Sequence, residues 1–306
     1  MVGGRADASA PVVHLIDGHV YVFRAYYAMP EMFAPDGTPT GATYGFANTL
    51  LKHLAVRKVE HIAVCFDWAM ESFRNEVFPA YKATRGATPD DLEPQFALCD
   101  EVARALGLPV FSLERYEADD LIATLATQLV AKGCDVVVVT ADKDLAQLVR
   151  DAEPGRGSVV LYDLAKDVTL DVRGVREKFG VSPDQIPDYL GLVGDAVDNL
   201  PGVPGIGPKS AAAALVAFGS IESIPADPAA WLGVPVRGAA RVAAAIDAHR
   251  EQALRVRELA TVECQIPGIR AGLASLAWKG APRDRVEPLF ERLGWKGIAA
   301  RIPRYA

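Results

Sequence analysis

Acidic residues follow the ends of predicted strands, and this placement constrains the fold more than any other feature of the chain. Residues 12–16 form a short apolar run that ends at Asp17. Residues 61–66 form a second such run, which ends at Asp67. A third run, residues 135–140, contains four consecutive valines and is typical of a strand buried on both faces of a parallel sheet. Because the carboxyl ends of parallel strands meet at one edge of a sheet, the pattern predicts an α/β fold with acids gathered at that edge.

Nine carboxylates in five short stretches make up the candidate site. Each one alone could be a turn former or a helix cap, but together they fall where this fold would bring them close. Many like charges cannot share one edge unless cations neutralise them, and carboxylate oxygens suit Mg²⁺ or Mn²⁺. We therefore expect two such ions, the usual apparatus for hydrolysing phosphodiesters. The nine acids are Asp17, Asp67, Glu117, Asp119, Asp120, Asp142, Asp144, Asp195 and Asp198.

The chain divides into two predicted parts. Up to about residue 180, strands alternate with helical patterns, which predicts a mostly parallel, doubly wound sheet. From residue 181 the strand signal fades, and helices at 183–193 and within 237–259 predict a smaller helical domain. We expect no internal repeat.

No stretch approaches the roughly 20 apolar residues of a membrane span, and the four cysteines lack a CxxC pair, so we expect a soluble, cytoplasmic protein with free thiols.

A basic stretch between residues 71 and 94 carries Arg74, Lys82 and Arg85, with Tyr81 beside them. Lys82 and Arg85 are three residues apart, so a helix would present both on one face. A solvated charged face is one reading of this pattern. Above an acidic metal site, the same cations could steer and polarise a phosphate. The net charge of −7 does not exclude such an anionic substrate. Without the negative charges of the nine site acids, the rest of the chain is mildly basic.

Phe23 and Arg24 follow Asp17 closely. An aromatic ring near the metals could stack on a terminal base. Packing of Phe23 in the core is the alternative, and the sequence alone leaves both open.

A glycine-rich turn at residues 202–210, GVPGIGPKS, precedes an alanine-rich helix. Gly202, Gly205 and Gly207 would let the backbone approach a ligand closely. The amides at the helix start would point at a phosphate, with Lys209 alongside. A plain tight turn between helices is the alternative. If it binds a ligand, such a hairpin would hold a duplex backbone without reading its sequence.

Five stretches, in the family's order, together resemble the 5′-nuclease family of 5′→3′ exonucleases and flap endonucleases. Within that family the resemblance is strongest to the N-terminal exonuclease domain of bacterial DNA polymerase I, and it covers roughly residues 12–265. The stretches are LIDGHVYVFRAYYAMP, VCFDWAMESFRNEVFPAYKATR, YEADDLIATLA, TADKDLAQLV and GLVGDAVDNLPGVPGIGPKSA.

The resemblance implies a domain organisation. A PIN-like (resolvase-like) catalytic domain would occupy residues 12–180, with a helical arch at about 70–95. A helix-three-turn-helix DNA-binding domain would follow at 181–265. Residues 1–11 would be a leader, and the extension 266–306 has no assigned role. Because no residues follow 306, proofreading and polymerase domains are not part of this chain, and we expect either a free-standing nuclease or a piece of a longer protein.

The resemblance also implies roles for the site residues. One metal would lie near Asp17, Asp67, Glu117 and Asp119, the other near Asp142, Asp144 and Asp195, with Asp120 and Asp198 acting partly through water. Asp67, Asp119 and Asp142 would be catalytic together with Lys82 and Arg85, which match the arch cations that engage the scissile phosphate. The hairpin at 202–209 matches the duplex-binding loop, which in relatives can also hold K⁺. The DNA-binding residues would be Phe23, Arg24, Arg74, Tyr81, Lys82, Arg85, Gly202, Gly205, Gly207 and Lys209.

The implied activity is hydrolysis of DNA by two metal ions from or near a 5′ end, leaving 5′-phosphates, in replication and repair. Flapped, nicked and overhanging duplexes are the expected substrates, with RNA–DNA primers as a further candidate and a monomer as the expected state. All nine acids are present, so we expect a competent enzyme. Two alternatives remain: a DNA-structure-binding relative with a vestigial site, and a metal-dependent phosphatase of small molecules that uses an aspartyl nucleophile.

Overall fold

A six-stranded sheet forms the centre of the protein in a computed structural model that describes residues 10–306. The strands lie in the order β3-β2-β1-β4-β5-β6, and all neighbours are parallel except the β5–β6 pair. The mostly parallel sheet expected from the sequence is confirmed. The predicted leader, residues 1–11, lies almost wholly outside the described residues. The strands are β1 (Val12–Asp17), β2 (His61–Cys65), β3 (Val110–Phe111), β4 (Asp135–Val139), β5 (Val159–Asp163) and β6 (Val168–Leu170).

Helices cover both faces of this sheet. On β1, Val13 and Leu15 point to the face covered by α5, and Ile16 points to the face covered by α1, α2 and α4. This alternation follows from the period of two along a strand. None of the helices in the described part of the chain is long and apolar enough to cross a membrane. The helices are α1 (Gly18–Ala28), α2 (Gly41–Arg57), α3 (Phe73–Val77), α4 (Glu93–Ala105), α5 (Ala118–Val130), α6 (Val172–Phe179), α7 (Ile186–Val193), α8 (Pro208–Phe218), α9 (Ala239–Ala248), α10 (Arg250–Ala260), α11 (Leu273–Leu276) and α12 (Arg283–Arg292).

The smaller helical domain is built from α7 to α10 and shares its core with the sheet. Buried residues of these helices, such as Leu215 and Ile246, belong to the same apolar cluster as Val13 on β1. The helical stretch expected at 237–259 is two helices that meet at His249. The continuous core keeps the helical domain in a fixed position beside the sheet.

Residues 266–306, which have no predicted role, return to the sheet domain. The backbone N–H of Trp278 donates to the carbonyl of Glu60, just before β2. The Trp278 indole donates to the carbonyl of Leu106 at 2.9 Å. Phe290 and Trp295 complete the apolar cluster on the α2 and α4 face. The segment therefore closes the core of the first domain.

A buried ion pair between Arg74 and Asp120 joins three parts of the chain. Both guanidinium Nη atoms donate to the carboxylate at 2.8 Å. Arg74 also donates to the carbonyls of Leu259 and Thr261, at 2.8 and 3.1 Å. The backbone N–H of Glu263 donates to Asp120 at 2.8 Å. Because Arg74 lies on α3 and Asp120 on α5, the pair fixes both helices to the segment that leaves α10.

This arrangement corrects two expectations from the sequence. Arg74 is only 2% exposed and Asp120 is fully buried, so Arg74 does not present its charge to DNA. Each oxygen of Asp120 already accepts two hydrogen bonds, including one from the backbone of Glu117. Asp120 is therefore saturated as an acceptor and is not a metal ligand in this arrangement.

A second buried polar pair lies on the other face of the sheet. His14 on β1 and His53 on α2 share a hydrogen bond of 3.0 Å between Nδ1 and Nε2. Burial, with the nearby charge of Arg57, lowers the pKa of His14 to about 4. Burial, with the coulombic effects of His14 and Arg57, lowers the pKa of His53 to about 3. Both rings are therefore neutral at neutral pH.

Replacing Arg74 by methionine should lower the free energy of unfolding by about 3–5 kcal/mol, because it leaves the Asp120 charge buried without a partner. Urea unfolding measures this loss. Arg104→Met is the matched control, since it breaks an exposed pair with Asp100 and should cost about 1 kcal/mol or less. Adding Asp120→Leu to Arg74→Met should restore part of the stability, because it removes the buried charge but leaves the backbone groups that the pair satisfied without partners. A loss in Arg74→Met no larger than in the control would contradict the structural role.

The histidine pair predicts a loss of stability in acid. Both folded pKa values lie below the ordinary value of 6.5, so below that pH the unfolded chain binds more protons. Stability is therefore complete above pH 6.5 and falls as the pH drops toward 4. Between pH 7 and 4.5 the wild type should lose about 2–3 kcal/mol more than His53→Gln. His61→Gln, outside the pair, is the control. Equal pH dependence of wild type and His53→Gln in chemical unfolding would refute the assignment.

Candidate active site

The predicted acids converge at the carboxyl edge of the sheet, where five of them line a cleft of about 500 Å³. Each is placed by a strand end or a helix start, as expected from the sequence. The acids in the cleft wall are Asp17 at the end of β1, Asp67 after β2, Glu117 and Asp119 at the start of α5, and Asp142 after β4.

Asp17 holds the centre of this edge. It caps α1 by accepting from the N–H of Val20 at 3.3 Å, and it accepts from the hydroxyl of Thr140 at 2.7 Å. Burial raises the pKa of Asp17 to about 7 in spite of the Thr140 hydrogen bond, and the charges of Asp142 and Asp67 add to the rise. Crowded acids therefore oppose one another's ionisation here.

Glu117 is the acid that the protein's own cations neutralise most directly. Lys82 Nζ donates to its Oε2 at 2.8 Å, and the hydroxyl of Ser72 donates to its Oε1 at 3.0 Å. Burial opposes the ionisation of Glu117, but Lys82 and Arg74 outweigh it and lower its pKa. Glu117 is therefore held as a carboxylate.

Two further acids, Asp119 in the cleft wall and Asp144 beside the cleft, are both crowded by Asp142. Burial, followed by the charges of Asp142 and Asp17, raises the pKa of Asp119 well above its ordinary value. Burial, followed by the charges of Asp142 and Asp195, does the same for Asp144. The Oδ1 atom of Asp144 is buried and has no hydrogen-bond partner. This carboxylate oxygen is therefore an acceptor that no donor or cation among residues 10–306 satisfies.

Asp195 and Asp198 lie in the turn that follows α7. Asp195 Oδ2 is 2.7 Å from Lys143 Nζ, and Asp198 Oδ1 is 2.6 Å from Arg85 Nη2. The sequence reading overlooked Lys143, although it stands between the two acids of TADKD. Its position between two predicted site acids was the sequence feature that could have indicated its role.

The donor set fits hard divalent cations. It consists of carboxylates, of which Asp17, Asp119 and Asp144 have their pKa raised by burial and then by neighbouring acids. The Oδ1 atom of Asp144 is left unsatisfied. Among residues 10–306, no three of the possible ligands already form a closed metal-binding cluster. The predicted binding of metal ions by these acids therefore remains a proposal, supported by the chemistry of the site.

The segment above the cleft is a strap of turns rather than a helical arch. In this strap, residues 78–92, turns at 79–84 and 90–92 flank an irregular stretch, and Lys82 takes a left-handed backbone with φ of 57°. The backbone N–H of Lys82 donates to the carbonyl of Asp198 at 2.9 Å. Lys82 and Arg85 nevertheless both point to the acids, because each pairs with a different carboxylate.

Three predicted DNA contacts near the cleft have different outcomes. Phe23 is half-buried in the cleft wall and packs edge-on against Phe96, with ring centroids 5.4 Å apart. Arg24 is instead paired with Asp163 through two hydrogen bonds of 2.7 and 3.2 Å. Tyr81 is 4% exposed, and its hydroxyl lies between Glu117 and Asp198. Tyr81 is thus committed to protein contacts, which corrects the expectation that it contacts DNA. Arg24 keeps a side chain that is 34% exposed, and its contact with DNA stays a prediction.

The glycine-rich turn joins α7 to α8. A Cβ on Gly202 would lie 2.2 Å from the carbonyl oxygen of Val193, so this glycine is required by packing. Gly205 has φ of 78°, and Gly207 caps α8 with open space in front of it. Lys209 is exposed in the first turn of α8. The turn thus presents open backbone beside one cation.

Two family descriptions match the chain. Residues 12–180 match "5′-3′ exonuclease, N-terminal resolvase-like domain", and residues 181–284 match "5′-3′ exonuclease, C-terminal SAM fold". DNA polymerase I of Bacillus caldotenax is 38% identical over 293 residues, which is 94% of this chain and 32% of that protein. DNA polymerase I of Pseudomonas aeruginosa is 42% identical over 267 residues, 85% of this chain and 28% of that protein. The chain thus spans about a third of the length of these relatives.

Solved structures share the fold at low identity. T5 5′-exonuclease with bound zinc matches with a TM-score of 0.65 at 20% identity, covering 92% of this chain and 98% of that one. The catalytic core of Rad2 with DNA substrate matches with 0.60 at 14%, covering 97% and 93%. Flap endonuclease-1 from Methanococcus jannaschii matches with 0.55 at 16%, covering 96% and 91%. With both domains matched in order, this chain belongs to the 5′-3′ exonuclease family.

Proposed function

We propose that the chain is a metal-dependent 5′→3′ exonuclease and structure-specific 5′-flap endonuclease that hydrolyses DNA and leaves 5′-phosphates. The observation that carries the proposal is the cleft itself, in which a wall of carboxylates faces Lys82 and Arg85 on the strap. Carboxylates bind hard cations, and the two strap cations offer charge to a phosphate. No cysteine or serine nucleophile is needed for this chemistry.

Two divalent cations, Mg²⁺ or Mn²⁺, would be held by Asp17, Asp67, Glu117, Asp119 and Asp142, with Asp144 and Asp195 beside them. Bound there, they would supply an activated water and neutralise charge on the phosphate. The chain's own residues position the substrate. Lys82 and Arg85, now paired with Glu117 and Asp198, would turn to the scissile phosphate once metals neutralise the acids. Phe23 in the cleft wall would stack on a terminal base.

The hairpin at 202–209 would hold the duplex backbone, with K⁺ as a candidate ligand of its carbonyls. The match to Rad2 bound to DNA and to T5 5′-exonuclease with divalent metal supports this assignment by shared fold. We include in the proposal a role in replication and repair, substrates with flaps, nicks or overhangs, RNA–DNA primers as a further substrate, a monomeric state and a cytoplasmic location.

A labelled 5′-flap duplex tests the proposal directly. The wild type should cut it with Mg²⁺ and fail in EDTA. Asp142→Asn should lower the rate by at least about three orders of magnitude, because groups that hold two metals act as a unit.

Asp151→Asn is the matched control, since it makes the same change at an exposed acid outside the cleft, and it should cut at the wild-type rate. Cutting in EDTA, or a near-normal rate for Asp142→Asn, would overturn the two-metal assignment. Binding without any cutting would favour a DNA-structure-binding protein, and turnover of a chromogenic phosphate ester alone would favour a phosphatase.

Lys82 and Lys209 should separate turnover from binding. Lys82→Ala should lower single-turnover cleavage at saturating Mg²⁺ by about 10²–10³-fold, because it removes a charge aimed at the reacting phosphate. Its affinity for duplex should change little. Lys209→Ala should instead weaken binding and lessen its salt dependence by about one unit of slope, with little change in saturated cleavage.

Lys52→Ala, which removes an exposed charge from α2, is the control for both measurements. If the two variants impaired binding equally and left saturated cleavage alone, Lys82 would have no role in the chemical step.

A further inference from the structure

The loop and helix at residues 202–215 recur at residues 233–246, contrary to the expectation that the chain contains no repeat. The two stretches are GVPGIGPKSAAAAL and GVPVRGAARVAAAI, and they are identical at seven of fourteen positions. Both begin with Gly-Val-Pro and place a glycine immediately before a helix, Gly207 before α8 and Gly238 before α9. The helical domain therefore contains two copies of one loop–helix unit.

The copies also pack in the same way. Ala211 and Leu215 of α8 are buried, and so are Val242 and Ile246, which occupy the equivalent positions of α9. Equivalent helix faces thus point into the shared core. The loops before both helices consequently lie on the outside of the domain, where Lys209 of the first copy and Arg237 of the second are exposed.

The first loop lies close to the start of α9. A Cβ built on Gly205, in the first loop, would lie 3.3 Å from Nη2 of Arg241, in the first turn of α9. Arg241 is exposed. Within residues 10–306, neither Arg241 nor Arg237 nor Lys209 forms an ion pair, whereas many other arginines of the chain do. The second copy therefore adds two unpaired guanidinium groups to this surface, and that of Arg241 lies next to the first loop.

We propose that Arg237 and Arg241 form a second contact for the phosphate backbone of duplex DNA, continuous with the first loop. A planar guanidinium matches a phosphate through two parallel hydrogen bonds, and Lys lacks this geometry. The second copy has lost the Gly205, Pro208 and Lys209 equivalents, which are Val236, Ala239 and Ala240. It therefore uses side chains where the first loop offers open backbone. The inference rests on the proposed function, because it names further residues that hold the same substrate.

Salt dependence of binding tests this contact. Binding of full-length protein to the 5′-flap duplex is measured in EDTA between 50 and about 200 mM KCl, a range over which phosphate contacts change affinity strongly. Arg237→Gln and Arg241→Gln should each lower the slope of log K against log salt by about 0.9, and the double variant by about 1.8. Lys52→Ala, away from both loops, should keep the wild-type slope. All variants should share the wild-type thermal midpoint, because both arginines are exposed.

A double variant with the wild-type slope would overturn the inference while leaving the nuclease proposal intact, provided that the wild type binds and cuts the flap. Failure of the wild type to bind would sink both. A lowered slope combined with unchanged saturated cleavage in Mg²⁺ would establish the arginines as a substrate-holding surface. A lower thermal midpoint in either single variant would reveal a packing role and contradict the proposed one.

Discussion

The desolvated pair of Arg74 and Asp120 is the contact on which the site's geometry depends. Asp120 lies one position after Asp119 on α5, and Arg74 lies two positions after Ser72, which binds Glu117. The same guanidinium holds the carbonyls that leave α10. The sheet domain, the strap and the helical domain therefore meet at the Arg74 guanidinium, which its pair with Asp120 holds in place. Buried pairs seldom add net stability, so its main effect is to specify this one arrangement.

Around that fixed point, the acids fall into two electrostatic kinds. Glu117 is stabilised as a carboxylate by Lys82 and Arg74. Asp17 and Asp119 are buried among other acids, which disfavours their charge. The cleft is thus short of positive charge on its sheet side and supplied with it on its strap side. Added cations would neutralise the acids on the sheet side, and an anionic substrate would neutralise the cations on the strap side.

Local patterns were enough to predict the sheet, the edge of acids and the division into two domains, because each depends on residues close in sequence. Asp17 and Asp67, for example, follow apolar runs directly. The errors concern side chains whose partners are far away. Arg74 binds a carbonyl 185 positions distant, and Tyr81 binds a carboxylate 117 positions distant, so no local pattern could reveal these contacts. The strap was misread for a different reason: Lys82 and Arg85 have helical spacing, but turns satisfy the backbone there.

Residues 266–306 pack at the start of β2, whereas the acidic site lies at the end of that strand. Trp278 binds Glu60 at the amino edge of the sheet, and Asp67 stands at the carboxyl edge. Seven residues of extended chain put these edges about 20 Å apart. That distance exceeds the Debye length of about 8 Å at physiological ionic strength. Charges exposed to solvent at the amino edge are therefore largely screened from the cleft, so a change of charge there should disturb the field of the acids little.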